Sequence, residues 1–368
     1  MGEDAPTKNG GRRLVKAKSA RFPDPLPLHY RFLGGMLAMF CAFAFYLGPL
    51  LLFLPPFLFR YLSREASTAY FVILVILVFV PVKPWPALRS LFELWYPLFD
   101  FHHNVTEEFA KSTRDSNSLL MLAMHPHGVI PMHGFLWSAF CQQYLPGTYG
   151  FGATTDIVTW LPILRHIMGW LSAGSATKQV VLNGMQKEGQ NLYILPGGVA
   201  EIFMAKRRNP AEQNVHTIKA KRYGLMKLAL QTGACIIPVY VFGGTEFFDQ
   251  IATIGESSKS HKSMFGRFLQ RFSRRMKGGF TLYWGKYGTT FPFCPKVSFV
   301  FGDPIVPVPG TEGTESNLNG PKLTCKKIEN PSKEQVEELM NRYTEAIHQL
   351  FDQYKVEAGY GDDQLKIV

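Results

Sequence analysis

The 368-residue chain is 46% apolar and only 18% charged, which is oily for a protein bathed in water and large enough for one big domain or two ordinary ones. A net charge of +11 on such a composition excludes an acidic disordered chain. Five scattered cysteines without a Cys-x-x-Cys pair exclude a disulfide-dense secreted scaffold and a thiolate metal site.

Residues 1–31 read as a flexible basic tail carrying Lys8, Arg12, Arg13, Lys16, Lys18 and Arg21. Residues 32–82 read as a membrane segment. From Phe32 to Phe59 there are 28 residues without a charge, and from Ala66 to Val82 another 17. About 20 apolar residues suffice to cross a bilayer, so the first run is long enough and the second is marginal. Pro49, Pro55 and Pro56 should kink the first run, which suits a helical hairpin that dips in and returns. The long polar stretch ahead of it does not fit a cleaved signal peptide. The basic tail favours a cytosolic N-terminus, and a hairpin then brings residues 83–368 back to the cytosol as the main domain. Arg60 and Arg64 in the connecting loop weigh against this orientation, and a single crossing puts the domain in the lumen. The cytosolic topology predicts reduced thiols at Cys41, Cys141, Cys235, Cys294 and Cys325. It also predicts an unused sequon at Asn104-Val105-Thr106, where a glycan would overturn it. Residues 83–117, with Trp85, Trp95 and Tyr96, suit either a membrane–water boundary or ordinary helix packing.

Beyond this point strand-like and helical segments alternate. The run Ser118 to Ala123 empties into Met124-His125-Pro126-His127-Gly128, a buried strand followed by a tight loop. Thr177 can cap a helix reaching Gly189, and Leu192 to Leu195 forms a second strand broken by Pro196-Gly197-Gly198. A helix from Tyr223 to Thr232 stops at Gly233, Cys235 to Phe242 gives a third strand, and Val297 to Phe301 a fourth. This rhythm predicts an α/β fold: a mostly parallel sheet flanked by helices, with its site at the loops leaving the strand ends. Lys259 to Lys277 reads as a basic amphipathic helix suited to an anionic membrane surface, with RNA or solvated charge as rivals. Ser332 and Gln335 form a capping-box pattern ahead of a packing helix that Gly359 ends.

Two imidazoles one residue apart at a strand exit suit proton transfer at neutral pH. A base needs a second group to fix its tautomer, and Glu201, just past the glycine turn Leu195 to Val199, offers a carboxylate. The alternative for Glu201 is an acid interacting with a helix N-terminus. Gly128, Gly197 and Gly198 offer close backbone approach and N–H groups for an oxyanion. His125, His127 and His133 can also be read as metal ligands, although no acidic residue lies nearby in sequence to complete a set. The chain has no Gly-x-Ser-x-Gly elbow and no GxGxxG or Walker loop, which disfavours serine hydrolysis and nucleotide binding.

These residues resemble the type 2 diacylglycerol acyltransferases and their monoacylglycerol and wax-alcohol relatives. His125-Pro126-His127-Gly128 matches that family's signature loop, Leu195 to Glu201 looks like its Gly-Gly-x-x-Glu segment, and Arg222 to Gly243 is similar to its long third motif. Tyr283-Trp284-Gly285-Lys286, Val300 to Ile305 and the Pro331 to Phe351 helix extend the likeness. Leu225 stands where Phe is expected, residues 311–328 look like an insertion, and Trp95-Tyr96-Pro97 is a loose counterpart of a Tyr-Phe-Pro element. No aspartate follows either histidine in the loop, so the orienting acid must come from elsewhere, with Glu201 the candidate. The resemblance implies a glycerolipid acyltransferase-like fold and transfer of a fatty acyl group from acyl-CoA to diacylglycerol. Monoacylglycerol or a fatty alcohol is the alternative acceptor; a metal-dependent lipid hydrolase and a non-catalytic lipid-droplet protein are more distant ones. It further implies His127 as base with His125 supporting or sharing the role, and Glu201 orienting the imidazole. Arg222, Lys219, Lys221 and Lys227 are expected to meet the CoA phosphates. Acyl-CoA is a co-substrate, and no cofactor, metal or nucleic acid is expected. The implied setting is the endoplasmic reticulum membrane, with the catalytic domain facing the cytosol, or a lipid droplet; a homo-oligomer is left open.

Overall fold

The computed structural model describes residues 11–116, 118–251, 264–276, 278–308 and 325–368. Twelve strands lie within them: β1 (Val15–Lys16), β2 (His102–His103), β3 (Leu120–His125), β4 (Phe151–Thr154), β5 (Ala173–Ser175), β6 (Leu192–Ile194), β7 (Val215–Ile218), β8 (Cys235–Phe242), β9 (Asp249–Gln250), β10 (Tyr283–Trp284), β11 (Ser298–Phe301) and β12 (Gln364–Ile367). Eight of them form one sheet in the order β1-β2-β11-β8-β3-β6-β4-β5. The pairs β8-β3, β3-β6, β6-β4 and β4-β5 are parallel, whereas β11-β8 and β1-β2 are antiparallel. Central β3 and β8 are buried along their whole length, as expected for strands covered on both faces.

Alternate residues of β3 feed two cores. Leu120, Leu122 and Met124 join a cluster with Phe135, Phe140 and Phe299, while Met121 and Ala123 join one with Met226, Ile347 and Phe351. The second face is closed by the helix Lys333–Ala358, whose capping box at Ser332 and Gln335 forms and which ends at Gly359 in the left-handed region. The helix Tyr223–Thr232 likewise stops at left-handed Gly233.

Within the stretch read as a flexible tail, residues 12–17 are held against this sheet. Arg12 is buried, donating from Nη2 to Phe301 O (2.9 Å) and to Asp303 Oδ1 (3.0 Å). Val15 and Lys16 pair with His103 and His102. Residues 1–10 lie outside the described residues.

The first apolar run forms one helix, Leu28–Phe53, despite Pro49. Its small residues Gly34, Gly35, Ala38, Ala42 and Gly48 face the domain, where Trp95 Nε1 donates to Gly34 O (3.0 Å) and Tyr283 Oη to Ala42 O (2.6 Å). Phe32, Phe40, Phe43 and Leu50 on the other side are exposed. The second run forms the helix Arg64–Phe79, none of whose residues is buried. Among the described residues, one helix, Leu28–Phe53, is long and apolar enough to cross a membrane.

One expectation is corrected, and the unused sequon is explained by burial. Cys235 and Cys325 are joined in a disulfide, their Cα atoms 6.8 Å apart, so the five thiols are not all free. The pair forms because the chain at 325–328 lies against the start of β8, with Cys325 N–H on Ser118 Oγ and Ile328 N–H on Leu230 O. Asn104 is 1% exposed and donates from Nδ2 to Phe301 O and Tyr354 Oη, while its Oδ1 accepts from Phe301 N–H. A glycan cannot be carried there on either side of a membrane, so that sequon does not report topology.

Candidate active site

Strand β3 sits mid-sheet and ends at His125, so the loop His125 to Ile130 leaves the carboxyl end of the parallel strands. Gly128 turns that loop at φ +70°, and a Cβ there would lie 2.3 Å from Gly244 O, so the turn requires glycine.

Glu201 stands in the short helix Gly198–Ile202 and is 2% exposed. Its Oε1 accepts from His125 Nδ1 (2.9 Å) and Lys219 N–H (2.7 Å), and its Oε2 from His127 N–H (2.6 Å). One carboxylate thus ties together the histidine loop, the glycine turn and the segment after β7. Gly197 makes room for it, since a Cβ at that position would fall 1.8 Å from Glu201 Cδ. Burial works against the charge, but His125 and the two backbone N–H groups outweigh it and hold the carboxyl down at about 2.

The two histidines do different things. His125 is fully buried on the face of the sheet covered by Tyr240 and Tyr343, bound to Glu201. His127 is half-buried and lines an apolar cavity of about 490 Å³ together with Ile130, Trp137, Tyr193 and Leu195. Its Nδ1 lies 2.9 Å from Gly128 O. A carbonyl can only accept, so Nδ1 carries the proton and Nε2 is left as a free base. Burial depresses the His127 pKa, with Gly128 O and Glu201 opposing, which keeps the ring neutral. Glu201 therefore fixes the loop through the His127 backbone and the His125 ring, and does not touch the His127 imidazole.

The remaining expected residues are placed as follows. Of the three glycines only Gly198 borders the cavity, and its N–H donates to Leu195 O. Arg222 braces the glycine turn, donating from Nε to Pro196 O (2.8 Å) and from Nη2 to Gly197 O (2.6 Å). Lys219 is half-buried, and Lys221 and Lys227 are exposed. His133 is fully buried against Phe247, and burial pushes it down to about 3. Among the described residues, no three His, Cys, Asp or Glu side chains are grouped so as to hold a metal ion.

The motifs do not reveal that the apolar helix helps build the site. Phe45, Tyr46 and Pro49 line the cavity, and Tyr46 stacks on Tyr283 with ring centroids 4.4 Å apart. The signal was the stripe of small residues from Gly34 to Gly48, which marks a helix face packed on protein rather than on lipid. Leu269, from the basic helix Met264–Met276, lines the cavity too.

The family model for diacylglycerol acyltransferase matches residues 99–368. The chain is 29% identical over 262 residues to mouse diacylglycerol O-acyltransferase 2-like protein 6, covering 67% of this chain and 70% of the relative. Human acyl-CoA wax alcohol acyltransferase 2 is 28% identical (66% and 68% covered), and Xenopus laevis diacylglycerol O-acyltransferase 2 is 25% identical (65% and 62% covered). No solved structure matches the chain. With a neutral imidazole at an apolar cavity inside the matched region, the chain belongs to the type 2 diacylglycerol acyltransferase family and is an O-acyltransferase of lipid metabolism.

Proposed function

We propose that this protein transfers a fatty acyl group from acyl-CoA to the hydroxyl of diacylglycerol, forming triacylglycerol at a bilayer surface. One observation carries the reading: His127 lines an apolar cavity while its Nδ1 is held by Gly128 O, a tautomer that leaves Nε2 as the unprotonated nitrogen. In the proposed reaction Nε2 takes the hydroxyl proton and the oxygen attacks the thioester carbonyl. The C–S bond then breaks, and the CoA thiolate leaves with the proton returned by the imidazolium. No metal or cofactor takes part. The Pro196 to Val199 turn borders the cavity and is the proposed neighbour of the thioester carbonyl. Lys221 and Lys227 are the exposed cations proposed for the CoA phosphates. A fatty alcohol is the second reading, favoured by likeness to the human enzyme named for wax alcohols.

The membrane hairpin belongs to the same proposal. Pairing of β1 with β2 supports it, because the residues before and after the apolar segment join one sheet and so lie on one side of any membrane. The fold is read as glycerolipid acyltransferase-like, and the setting as the cytosolic face of the endoplasmic reticulum or a lipid droplet, a placement that the strand pairing and basic N-terminus favour and the Cys235–Cys325 bridge opposes.

Membranes expressing wild type or His127→Ala, given labelled acyl-CoA and one acceptor at a time, test the reading. Label in triacylglycerol with wild type alone is expected. Label in a wax ester instead would rename the acceptor, and equal turnover in the variant would remove His127 as base.

A further inference from the structure

The cavity runs away from His127 toward the open edge of the sheet, and the strands there carry unusual residues. β4 is Phe-Gly-Ala-Thr and β5 is Ala-Gly-Ser, although glycine and alanine are poor strand formers. Glycine inside a strand often marks a place where another group approaches the backbone closely. The register shows what approaches. Leu122 pairs with Tyr193, Tyr193 with Gly152, and Gly152 with Ala173, a single row crossing β3, β6, β4 and β5. Side-chain size falls abruptly along that row, from Leu and Tyr to Gly and Ala. The last three residues of the row line the cavity.

Tyr193 is fixed on one side by stacking on Trp137, with centroids 5.5 Å apart. A Cβ at Gly152 would meet Ala173 Cβ at 3.3 Å and Tyr193 Cδ1 at 3.5 Å, so the step beside the tyrosine is already at contact distance. Ala173 lies three strands and three residues from His125. At ~4.8 Å between strands and ~3.3 Å per residue, that is roughly 17 Å from the strand end that delivers the base.

We infer that the Gly152–Ala173 step holds the methyl end of the donor acyl chain and sets the longest chain the enzyme accepts. The inference rests on the proposed acyl transfer and adds to it a specificity determinant. The thioester sits at His127, and the chain passes the Tyr193–Trp137 stack and ends on the trough where β4 and β5 carry almost no side chain. A larger residue at Ala173 fills the trough and excludes the last methylenes.

The test compares palmitoyl-CoA with octanoyl-CoA on each of two acceptors of different chain length, using the full chain. Ala173→Val is expected to lower the palmitoyl:octanoyl ratio of kcat/KM, and Ala173→Phe to lower it further, by about tenfold or more, since one methylene in an apolar pocket is worth at least about that factor. Gly174→Ala is the control, because a Cβ there meets nothing within 4 Å. An unmoved ratio, an equal loss on both donors in both Ala173 variants, or a shift that follows the acceptor chain would overturn the inference. Displacement of a fluorescent long-chain fatty acid by palmitate or octanoate reads the same site without turnover. Palmitate weakened and octanoate unchanged in Ala173→Phe upholds the inference, and equal affinities overturn it. A wild type that binds palmitate but transfers no acyl group refutes the proposed reaction alone.

Discussion

Glu201→Gln separates the charge of this side chain from its shape. The carboxylate accepts three hydrogen bonds, two on Oε1 and one on Oε2. An amide keeps one accepting oxygen; placed toward His125 and Lys219, it turns its NH₂ on the His127 N–H and leaves that donor unpaired. Breaking a buried charged network in this way costs about 3–5 kcal/mol. The pKa gives a comparable figure, since a carboxyl moved from 4.5 to about 2 on folding contributes about 3 kcal/mol at neutral pH. The folded value is depressed, so this contribution is complete above pH 4.5 and is lost as pH falls through about 2. Thermal melting of the purified full chain should fall by roughly 5–10 °C at pH 7. The gap between wild type and variant should close as the pH is lowered through that window. Turnover should drop about a hundredfold, because the loop carrying the proposed base is released and small misplacements carry that penalty. A variant that melts within a degree or two of wild type and turns over normally would refute the account of Glu201 as the tie between the two loops.

Three further outcomes follow from the same geometry. As the proposed base His127 acts in its neutral form, and burial places its pKa below 6.5, so kcat/KM should fall only as pH drops beneath that value; an acid limb centred above it contradicts the environment described. Arg222→Lys loses the two-pronged grip on Pro196 O and Gly197 O, and should lower kcat and the melting temperature with KM for acyl-CoA unchanged. A raised KM with normal melting would instead return Arg222 to the CoA phosphates. Gly128→Ala combines a positive φ with contact on Gly244 O, should cost on the order of 3 kcal/mol, and is checked by expression and melting.

Local signals carried the central elements. The apolar run into His125, Gly233 and Gly359 as stops, and the Ser332–Gln335 box each depend on nearby chemistry, and each appears where it was expected. Strand Cys235–Phe242 agrees to the residue, because Ile236, Ile237, Val239, Tyr240, Val241 and Phe242 favour a strand despite Pro238. What stayed hidden depends on partners distant in sequence. β4 and β5 carry Gly152, Ala153 and Ala173 where a cavity lies over them, and two-residue β1 exists only through β2. Cys235 with Cys325, and Arg12 with Asp303, are pairs that no local pattern announces. In the site, the nearness of Glu201 to the histidine loop was expected. That Glu201 grips a backbone N–H, and that His125 packs near Tyr343 while His127 borders the cavity, follows only from register and packing.

The helix Leu28–Phe53 is part of the cavity wall as well as an apolar segment. Phe45, Tyr46 and Pro49 are part of the chamber wall, and Tyr46 Oη binds the backbone of Tyr283 at 2.7 Å. Deleting the apolar segment to obtain a water-soluble enzyme would therefore not merely untether the catalytic half. It would strip one side from the vessel proposed for the reaction, admitting water beside His127 and leaving an oily trench open along the sheet.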